Sequence, residues 1–206
     1  MRIIFATGNQ DKMKEIKEIM KDYGLPILSM KEAGITADII ENGKTFEENA
    51  TIKAEAVAKI CRENGYQDIV LADDSGLEID ALNKEPGIYS ARYMGEDTSY
   101  HIKNGKLLER LEEVPKSKRT ARFVCAIAAV LPDQTVYVEK GIMEGQINDK
   151  ERGENGFGYD PIFYLPEYGC SSASLPPEEK NKISHRGQAL VLMKKKLDTF
   201  LTPQQR

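Results

Sequence analysis

The chain has 206 residues, of which 40% are hydrophobic and 30% are charged. Its formal net charge of −4 argues against a general nucleic-acid binder, because such a protein would carry a basic stripe. No apolar run approaches the roughly 20 residues that a bilayer span needs, and the apolar start at residues 1–6 is too short for a signal peptide. Three widely spaced cysteines indicate free thiols rather than a zinc site, so we expect a cytoplasmic protein with no nucleic-acid or membrane partner.

The chain opens with a predicted strand, loop and helix. Residues 2–6 form a short run of β-forming apolar residues, which indicates a buried strand. After the loop at residues 7–9, apolar residues recur at helical spacing from Met13 to Tyr23, and the sequence Gly-Leu-Pro at 24–26 ends the helix.

A second helix and a second strand follow. Thr45 and Glu48 have the spacing of a capping box, which predicts a helix that begins at Thr45 and runs to Gly65. Residues 69–72 then form another short buried strand, which we predict to end at the polar sequence Asp-Asp-Ser-Gly at 73–76.

The remaining elements continue the alternation of strands and helices. They are a loop at 85–93, a helix at 98–111, two strands at 120–131 and 135–147 joined by a tight turn, a glycine-rich loop at 153–159, a short strand at 161–165 and a helix from about 188 to 200. Early alternation followed by a hairpin predicts an α/β fold with a mixed sheet.

The first loop is a candidate anion site. It lies between a buried strand and a helix N-terminus, where exposed backbone N–H groups and the helix dipole favour negative charge. Gly8 lets the backbone approach a ligand closely, and Lys12 adds a positive charge one turn later. The alternative is that Asn9 is only a helix N-cap and Lys12 only a solvated surface residue.

Asp73 and Asp74 follow a buried strand and form the second candidate. Two acids at the end of such a strand are costly unless they hold a metal, a substrate or hydrogen-bond donors. Ligands of open α/β sheets bind at these strand ends, and adjacent side chains on a strand point in opposite directions. Oxygen ligands without thiolate or histidine suit Mg²⁺. An Asx-type turn is the alternative.

Two later segments have the residue types of a ligand site. Residues 153–160 interleave glycines with aromatic residues, so Phe157 is a candidate to stack on a purine face, unless the aromatic side chains fold into the core. Further on, His185 and Arg186 stand together before an apolar-periodic segment, and arginine offers a rigid fork of donors for phosphate or a keto oxygen. A surface cluster at a helix start is the alternative for this pair.

These segments together resemble the Ham1-like inosine triphosphate pyrophosphatase family, the bacterial noncanonical purine NTP pyrophosphatases. The matching sequences are TGN-x-x-K at 7–12, TFEENA at 45–50, ADDSGL at 72–77, PGIYSARY at 86–93, GFGYDPIF at 156–163 and ISHRGQAL at 183–190. They span almost the whole chain in the order of the family, and six matches in order are far more specific than any single one.

The resemblance implies a reaction and an architecture. The reaction is hydrolysis of a nucleoside triphosphate, with ITP, dITP and XTP favoured, to a monophosphate and pyrophosphate. The architecture is a single domain over residues 1–206. It is an elongated α/β fold with a mixed central sheet flanked by helices, and it has two lobes with a cleft between them. The resemblance also implies a homodimer.

The resemblance also implies the site residues. Asp74 is the base and, with Glu41, a ligand of Mg²⁺; the match around Glu41 is loose, so Asp38 is the substitute and Asp73 is a further metal candidate. The residues implied to bind the nucleotide are Thr7, Gly8, Asn9, Gln10, Asp11, Lys12, Ser75, Phe157, Gly158, Tyr159, Asp160, Lys180, His185 and Arg186.

Two other functions stay open at this point. One is a Maf-like nucleotide pyrophosphatase that prefers another base. The other is a nucleotide-binding module without catalysis, against which the Asp73–Asp74 pair argues, because binding alone does not need a buried acid pair beside a polyphosphate. An interaction scaffold is not supported by any repeat in the sequence.

Overall fold

The computed structural model describes residues 1–201, and its strands and helices alternate along the chain. The strands are β1 (Ile3–Phe5), β2 (Ile27–Ser29), β3 (Ile69–Ile79), β4 (Thr120–Val130), β5 (Val136–Ile147), β6 (Phe163–Leu165) and β7 (Cys170–Ser171). The α-helices are α1 (Gln10–Ile19), α2 (Phe46–Glu63), α3 (Tyr100–Arg110), α4 (Pro177–Ile183) and α5 (His185–Leu201). Among these helices none has the length and apolar content that crossing a bilayer requires.

The strands form one mixed sheet. Its order is β2-β1-β3-β4-β5-β6-β7. β1 pairs in parallel with both β2 and β3, whereas β6 pairs antiparallel with β5 and with β7. The predicted α/β class with a mixed sheet is therefore confirmed. The elongated shape, the two lobes around a cleft and the single domain over residues 1–206 stay predictions.

Helix starts follow the capping signals in the sequence. The Asn9 side chain accepts a hydrogen bond from the Lys12 N–H at 3.0 Å, and the Thr45 hydroxyl accepts one from the Glu48 N–H at 3.1 Å. Each cap satisfies a backbone donor that has no partner within its helix. The Glu48 carboxylate accepts a bond from the N–H of Lys44, one residue earlier than the predicted capping box requires.

Several elements differ from the predictions. β3 does not end at Ala72 but continues through Asp73 and Asp74 to Ile79. The strand tolerates these acids because their side chains have charged and polar partners, described below. β2, β7 and α4 were not predicted, since two to seven residues are too few to show a period. α5 begins at His185, three residues before the predicted Gln188.

The chain divides into two compact units. Unit 1 contains residues 1–74, 125–141 and the described residues from 186 on; unit 2 contains residues 75–124 and 142–185. The unit 1 core packs one face of α1 against β1 and the apolar face of α5, and includes Phe5, Ile16 and Leu190. The unit 2 core includes Leu77, Phe123 and Phe163.

Candidate active site

Asp73 lies on β3 in unit 1 among positive charges. It is 1% exposed, and its Oδ2 lies 3.0 Å from Lys12 Nζ and 3.3 Å from an Arg186 guanidinium nitrogen. Burial alone raises the pKa of this carboxyl group, but the charges of Lys12 and Arg186 outweigh burial and hold the pKa below its ordinary value. Asp73 is therefore a fixed negative charge between two cations.

Asp74 has different partners because adjacent strand residues face opposite ways. Its Oδ2 accepts a hydrogen bond from Asn49 Nδ2 at 3.1 Å, and its Oδ1 lies 3.5 Å from Lys53 Nζ. Burial raises the pKa of Asp74, and the charge of Lys53 offsets this only in part, so the net shift is upward. Asp74 is thus the more easily protonated member of the pair.

Glu41 is joined to Asp74 by a shared lysine. Lys53 Nζ donates a hydrogen bond to Glu41 Oε2 at 3.0 Å, while Asp38 is exposed. Burial lowers the pKa of Lys53. The neighbouring carboxylates, among which Asp74 has the largest effect, raise the pKa by more than burial lowers it, so the net shift is upward and the ammonium stays charged. Glu41 and Asp74 therefore both lie close to the Lys53 ammonium, at a position where a positive charge is stabilised.

This arrangement fits a divalent cation that takes two ligands from the protein and the others from water and phosphate. Asp74 and Glu41 each have a carboxylate oxygen within 3.5 Å of the Lys53 ammonium, at a position that already stabilises a cation. Nowhere in residues 1–201 do three His, Cys, Asp or Glu side chains form a cage for a metal. Mg²⁺ suits such a site, because it binds through one or two carboxylates and completes its shell with water and phosphate oxygens.

Arg186 is the buried cation of unit 1. It is 1% exposed, and its two terminal nitrogens bond to Glu15 on α1 and Asp73 on β3. Burial lowers the pKa of this guanidinium, but Asp73 and Glu15 raise it above the ordinary value. The guanidinium therefore joins helix and strand around Asp73, and its predicted contact with the base stays a prediction.

The first loop presents backbone to solvent. Residues 8–11 are exposed, and Thr7 accepts a hydrogen bond from the Asn9 N–H at 3.2 Å. A Cβ added at Gly8 would meet no atom within 4 Å, so the space above this residue is open. The Asn9 and Lys12 N–H groups already bond to the side chains of Thr7 and Asn9, so what the start of α1 offers an anion is the exposed backbone of residues 8, 10 and 11 with Lys12 beside it.

In unit 2 the glycine loop meets α4. Asp160 is 2% exposed and accepts a hydrogen bond from Lys180 Nζ at 2.6 Å. The same ammonium lies 5.2 Å from the centre of the Phe157 ring, within reach of a cation–π contact. Three of the predicted nucleotide-binding residues therefore form one cluster.

Two other predicted residues of unit 2 have buried neighbours. The Tyr159 hydroxyl donates to the Ser90 carbonyl at 2.7 Å, and burial raises the pKa of this phenol. The His185 ring stacks on Phe123 with centroids 4.9 Å apart. The Tyr159 bond holds the loop at residues 87–90 in place. Ser75, another predicted residue, is half-buried and follows Asp74 on β3.

Sequence reasoning missed Lys53, Asn49 and Glu15. A signal for the first two exists: they are four positions apart on α2, so they share one face of the helix, and Asn49 lies in the TFEENA motif. Glu15 has a weaker signal, three positions after Lys12 on α1. Recognising it requires knowing that α5 brings Arg186 alongside.

The fold and the site define a class of protein. It is an α/β protein with an exposed strand–loop–helix start, a buried acid pair and basic side chains that neutralise the pair. The chain belongs to the Ham1 family, whose model matches residues 3–196.

Relatives and solved structures cover nearly the whole chain. A dITP/XTP pyrophosphatase of Clostridium perfringens is 49% identical over 201 residues, which is 97% of this chain and 98% of that protein. One of the same name from Bacillus subtilis is 47% identical over 95% of this chain and 96% of its own length. The structure of the Staphylococcus aureus Ham1 protein is 44% identical, with a TM-score of 0.83 over 97% of this chain and 99% of that one.

Proposed function

We propose that this protein hydrolyses noncanonical purine nucleoside triphosphates, ITP, dITP and XTP, to the monophosphate and pyrophosphate, with Mg²⁺ as the metal. The observation that carries the proposal is the pair Asp73 and Asp74, consecutive on β3, one held ionised by Lys12 and Arg186 and the other facing Lys53. Relatives that carry the name dITP/XTP pyrophosphatase at close to half identity over nearly the full length support the substrate class.

The phosphates are assigned to unit 1. Lys12 and the loop at residues 7–11, through the exposed backbone of residues 8, 10 and 11, bind the triphosphate and hold the leaving pyrophosphate. Asp74 orients a water and takes its proton for attack on the α-phosphorus. Glu41 and Asp74 would hold the Mg²⁺, which would supply positive charge to neutralise phosphate oxygens. Phosphoryl chemistry of this kind depends on positioning and charge neutralisation, which these fixed side chains supply.

Residues 157–160 line the nucleoside, Lys180 contacts the substrate, and His185 and Arg186 read the base. Hypoxanthine and xanthine present a keto oxygen at position 6, whereas adenine presents an amino group there. Donors aimed at that position would stay unpaired against adenine, which costs about 1–3 kcal/mol for a buried donor. A site built on such hydrogen bonds rejects the wrong base strongly. Guanine shares the keto group, so its rejection requires a further contact near position 2.

The proposal includes the assembly and location expected from the family. The protein acts in the cytoplasm as a homodimer on a small-molecule substrate, and residues 1–206 form its single domain. Light scattering on the purified chain measures the assembly, and a monomer at micromolar concentration would contradict it.

A panel of triphosphates tests the activity. Purified protein is incubated with ITP, XTP, dITP, GTP and ATP, with and without Mg²⁺, and pyrophosphate and phosphate are measured separately. We expect Mg²⁺-dependent pyrophosphate release from the first three at rates well above those for GTP and ATP. Preference for a different base would favour a Maf-like enzyme, and binding without turnover of any triphosphate would favour a non-catalytic module.

A further inference from the structure

Asn49 is a buried amide that joins the segment after Glu41 to Asp74. It lies near the start of α2, and 0% of it is exposed. Its Nδ2 donates a hydrogen bond to Asp74 Oδ2 at 3.1 Å, and its Oδ1 accepts one from the Gly43 N–H at 2.8 Å. Both polar ends of the side chain are therefore bonded, as a buried amide requires.

The orientation of this amide follows from its partners. A backbone N–H can only donate, so the side-chain atom that faces Gly43 is the carbonyl oxygen, and the nitrogen faces Asp74. Asp74 Oδ2 is thus an acceptor for the protein. Asp74 Oδ1 is the oxygen nearer Lys53, 3.5 Å from its Nζ. The two oxygens of this carboxylate therefore have different partners.

Glu41 is held to the same helix at two points. Asn49 fixes the backbone two residues after Glu41, through the Gly43 N–H, and Lys53 Nζ bonds to the Glu41 carboxylate at 3.0 Å. Asn49 and Lys53 are four positions apart on α2, so they lie on one face of this helix. One helix face thus contacts both carboxylates or the backbone that carries them.

Gly43 lets the backbone come close to this amide. A Cβ built at Gly43 would lie 2.7 Å from Asn49 Oδ1 and 2.8 Å from the Cβ of Glu48. Both distances are well below van der Waals contact. A side chain at this position would therefore push the segment after Glu41 away from α2.

We propose that Asn49 is a positioning residue for the metal: its amide holds Asp74 through one end and the segment of Glu41 through the other, and so sets the spacing of these two carboxylates before an ion binds. The inference rests on the proposed function, since Mg²⁺ and its two ligands belong to that proposal. Asn49 acts on the ion only through the carboxylates. Residues that orient metal ligands in this way typically contribute about 10- to 100-fold to metal affinity.

Mn²⁺ binding to the substrate-free protein tests the inference without turnover. Mn²⁺ takes the oxygen ligands that Mg²⁺ takes, and its electron paramagnetic resonance signal reports the free ion. The binding that Asp74→Ala removes is the binding at this pair. Asn49→Leu, which keeps the approximate size of the side chain, should weaken that binding at least about tenfold.

Two results of this titration would overturn the inference. One is Mn²⁺ binding as tight in Asn49→Leu as in wild type. The other is a wild type from which Asp74→Ala removes no bound Mn²⁺, because the two carboxylates would then not be set for an ion in the absence of substrate.

Thr51→Val is the matched control on the same helix. The Thr51 hydroxyl donates to the Glu47 carbonyl at 2.8 Å, so this variant also removes a side-chain hydrogen bond from α2. Its Mn²⁺ affinity should equal that of wild type. An equal loss of affinity in Thr51→Val and Asn49→Leu would mean that disturbance of the helix weakens the site, and the inference would be wrong.

Gly43→Ala disturbs the same contact while keeping Asn49, and it tests the inference even if Asn49→Leu does not fold. It should weaken Mn²⁺ binding in the same direction as Asn49→Leu. Gly105→Ala is the matched control, because a Cβ at Gly105 on α3 would meet nothing within 4 Å. Equal Mn²⁺ affinities in the two glycine variants would overturn the inference.

Turnover separates this inference from the proposed function. In Asn49→Leu the Mg²⁺ concentration for half-maximal pyrophosphate release from ITP should rise together with the Mn²⁺ dissociation constant, while the KM for ITP at saturating Mg²⁺ changes much less. A wild type that releases no pyrophosphate from any triphosphate rejects the proposed function. An active wild type with equal Mn²⁺ affinity in Asn49→Leu rejects the inference alone.

Discussion

Asp73 and Asp74 are consecutive residues on one strand, yet their surroundings shift their pKa values in opposite directions. For both, burial favours the protonated acid. Around Asp73 the charges of Lys12 and Arg186 outweigh burial and lower the pKa, while around Asp74 burial prevails and the pKa is raised. Neighbouring carboxyl groups whose pKa values are driven apart are a mark of divided roles in catalysis. Asp73 is suited to organise cations, and Asp74 to exchange a proton.

Replacing Asp74 by Asn tests the base. The amide keeps the size of the side chain but cannot take a proton, so turnover of ITP should fall by at least about 10²-fold, the lower end of general-base contributions. The melting temperature should stay close to that of wild type, since Asn49 and Lys53 keep a polar partner. Turnover near the wild-type rate would remove Asp74 from this role.

The pH dependence of kcat/KM should report Asp74. This carboxyl group must be ionised to act, and its pKa is raised, so activity should rise with pH through a midpoint above the ordinary value for aspartate, about 3.9. Lys53→Met removes the ammonium that lowers this pKa and should move the midpoint to higher pH. Added Mg²⁺ competes with the proton and should move it to lower pH.

Lys59→Met is the control for that profile, because Lys59 is exposed on the same helix. Its midpoint should equal that of wild type. A midpoint that falls in Lys53→Met would contradict the assignment.

Arg186→Ala should be strongly destabilising. It removes the buried cation that Glu15 and Asp73 share, so that of the two cations beside Asp73 only Lys12 remains, and breaking a buried ion pair costs about 3–5 kcal/mol. Chemical denaturation measures the free energy of unfolding, with Arg92→Ala, at an exposed arginine, as control. A loss below 1 kcal/mol, as is usual for exposed ion pairs, would show that the cluster is solvated in solution.

Lys12→Ala tests the phosphate assignment separately from stability. Lys12 lies beside Asp73 at the start of α1, and we expect the inhibition constant of pyrophosphate to rise about tenfold or more, as for a lost contact between charged groups. Lys14→Ala is the matched control, since Lys14 is exposed on the same helix. Equal inhibition constants for the two variants would place the pyrophosphate elsewhere.

Much of the fold could be predicted from local patterns. α1 and α2 were predicted because a capping residue precedes a clear helical period in each. The end of β3 was predicted wrongly, because two adjacent acids argue for a turn unless their partners are known. Those partners are Lys12 on α1 and Arg186 on α5, which only tertiary packing brings to the strand.

The candidate site divides in the same way. Asp74 and Lys12 could be named from motifs and Lys180 from the family resemblance, but neither says which charges pair. The bond of Arg186 to Glu15 depends on contacts between distant segments. The same holds for Asp160, whose carboxylate accepts hydrogen bonds from Lys180, Phe157 and Ser172 and fits in the space left by Gly156. Pairing of this kind has no period and no spacing, so it leaves no trace in a single sequence.

The parallel register of β1 and β3 has a chemical consequence. Phe5 is opposite Leu71, two residues before Asp73, and this alignment decides which acid faces Lys12 and which faces Lys53. A shift by one residue would turn every β3 side chain to the other side of the sheet. Asp74 would then stand among the cations of α1 and α5, and Asp73 would stand beside Asn49. The bulky apolar residues of β1 thus fix the register of β3 and so determine which side of the sheet each aspartate faces, although none of them is charged.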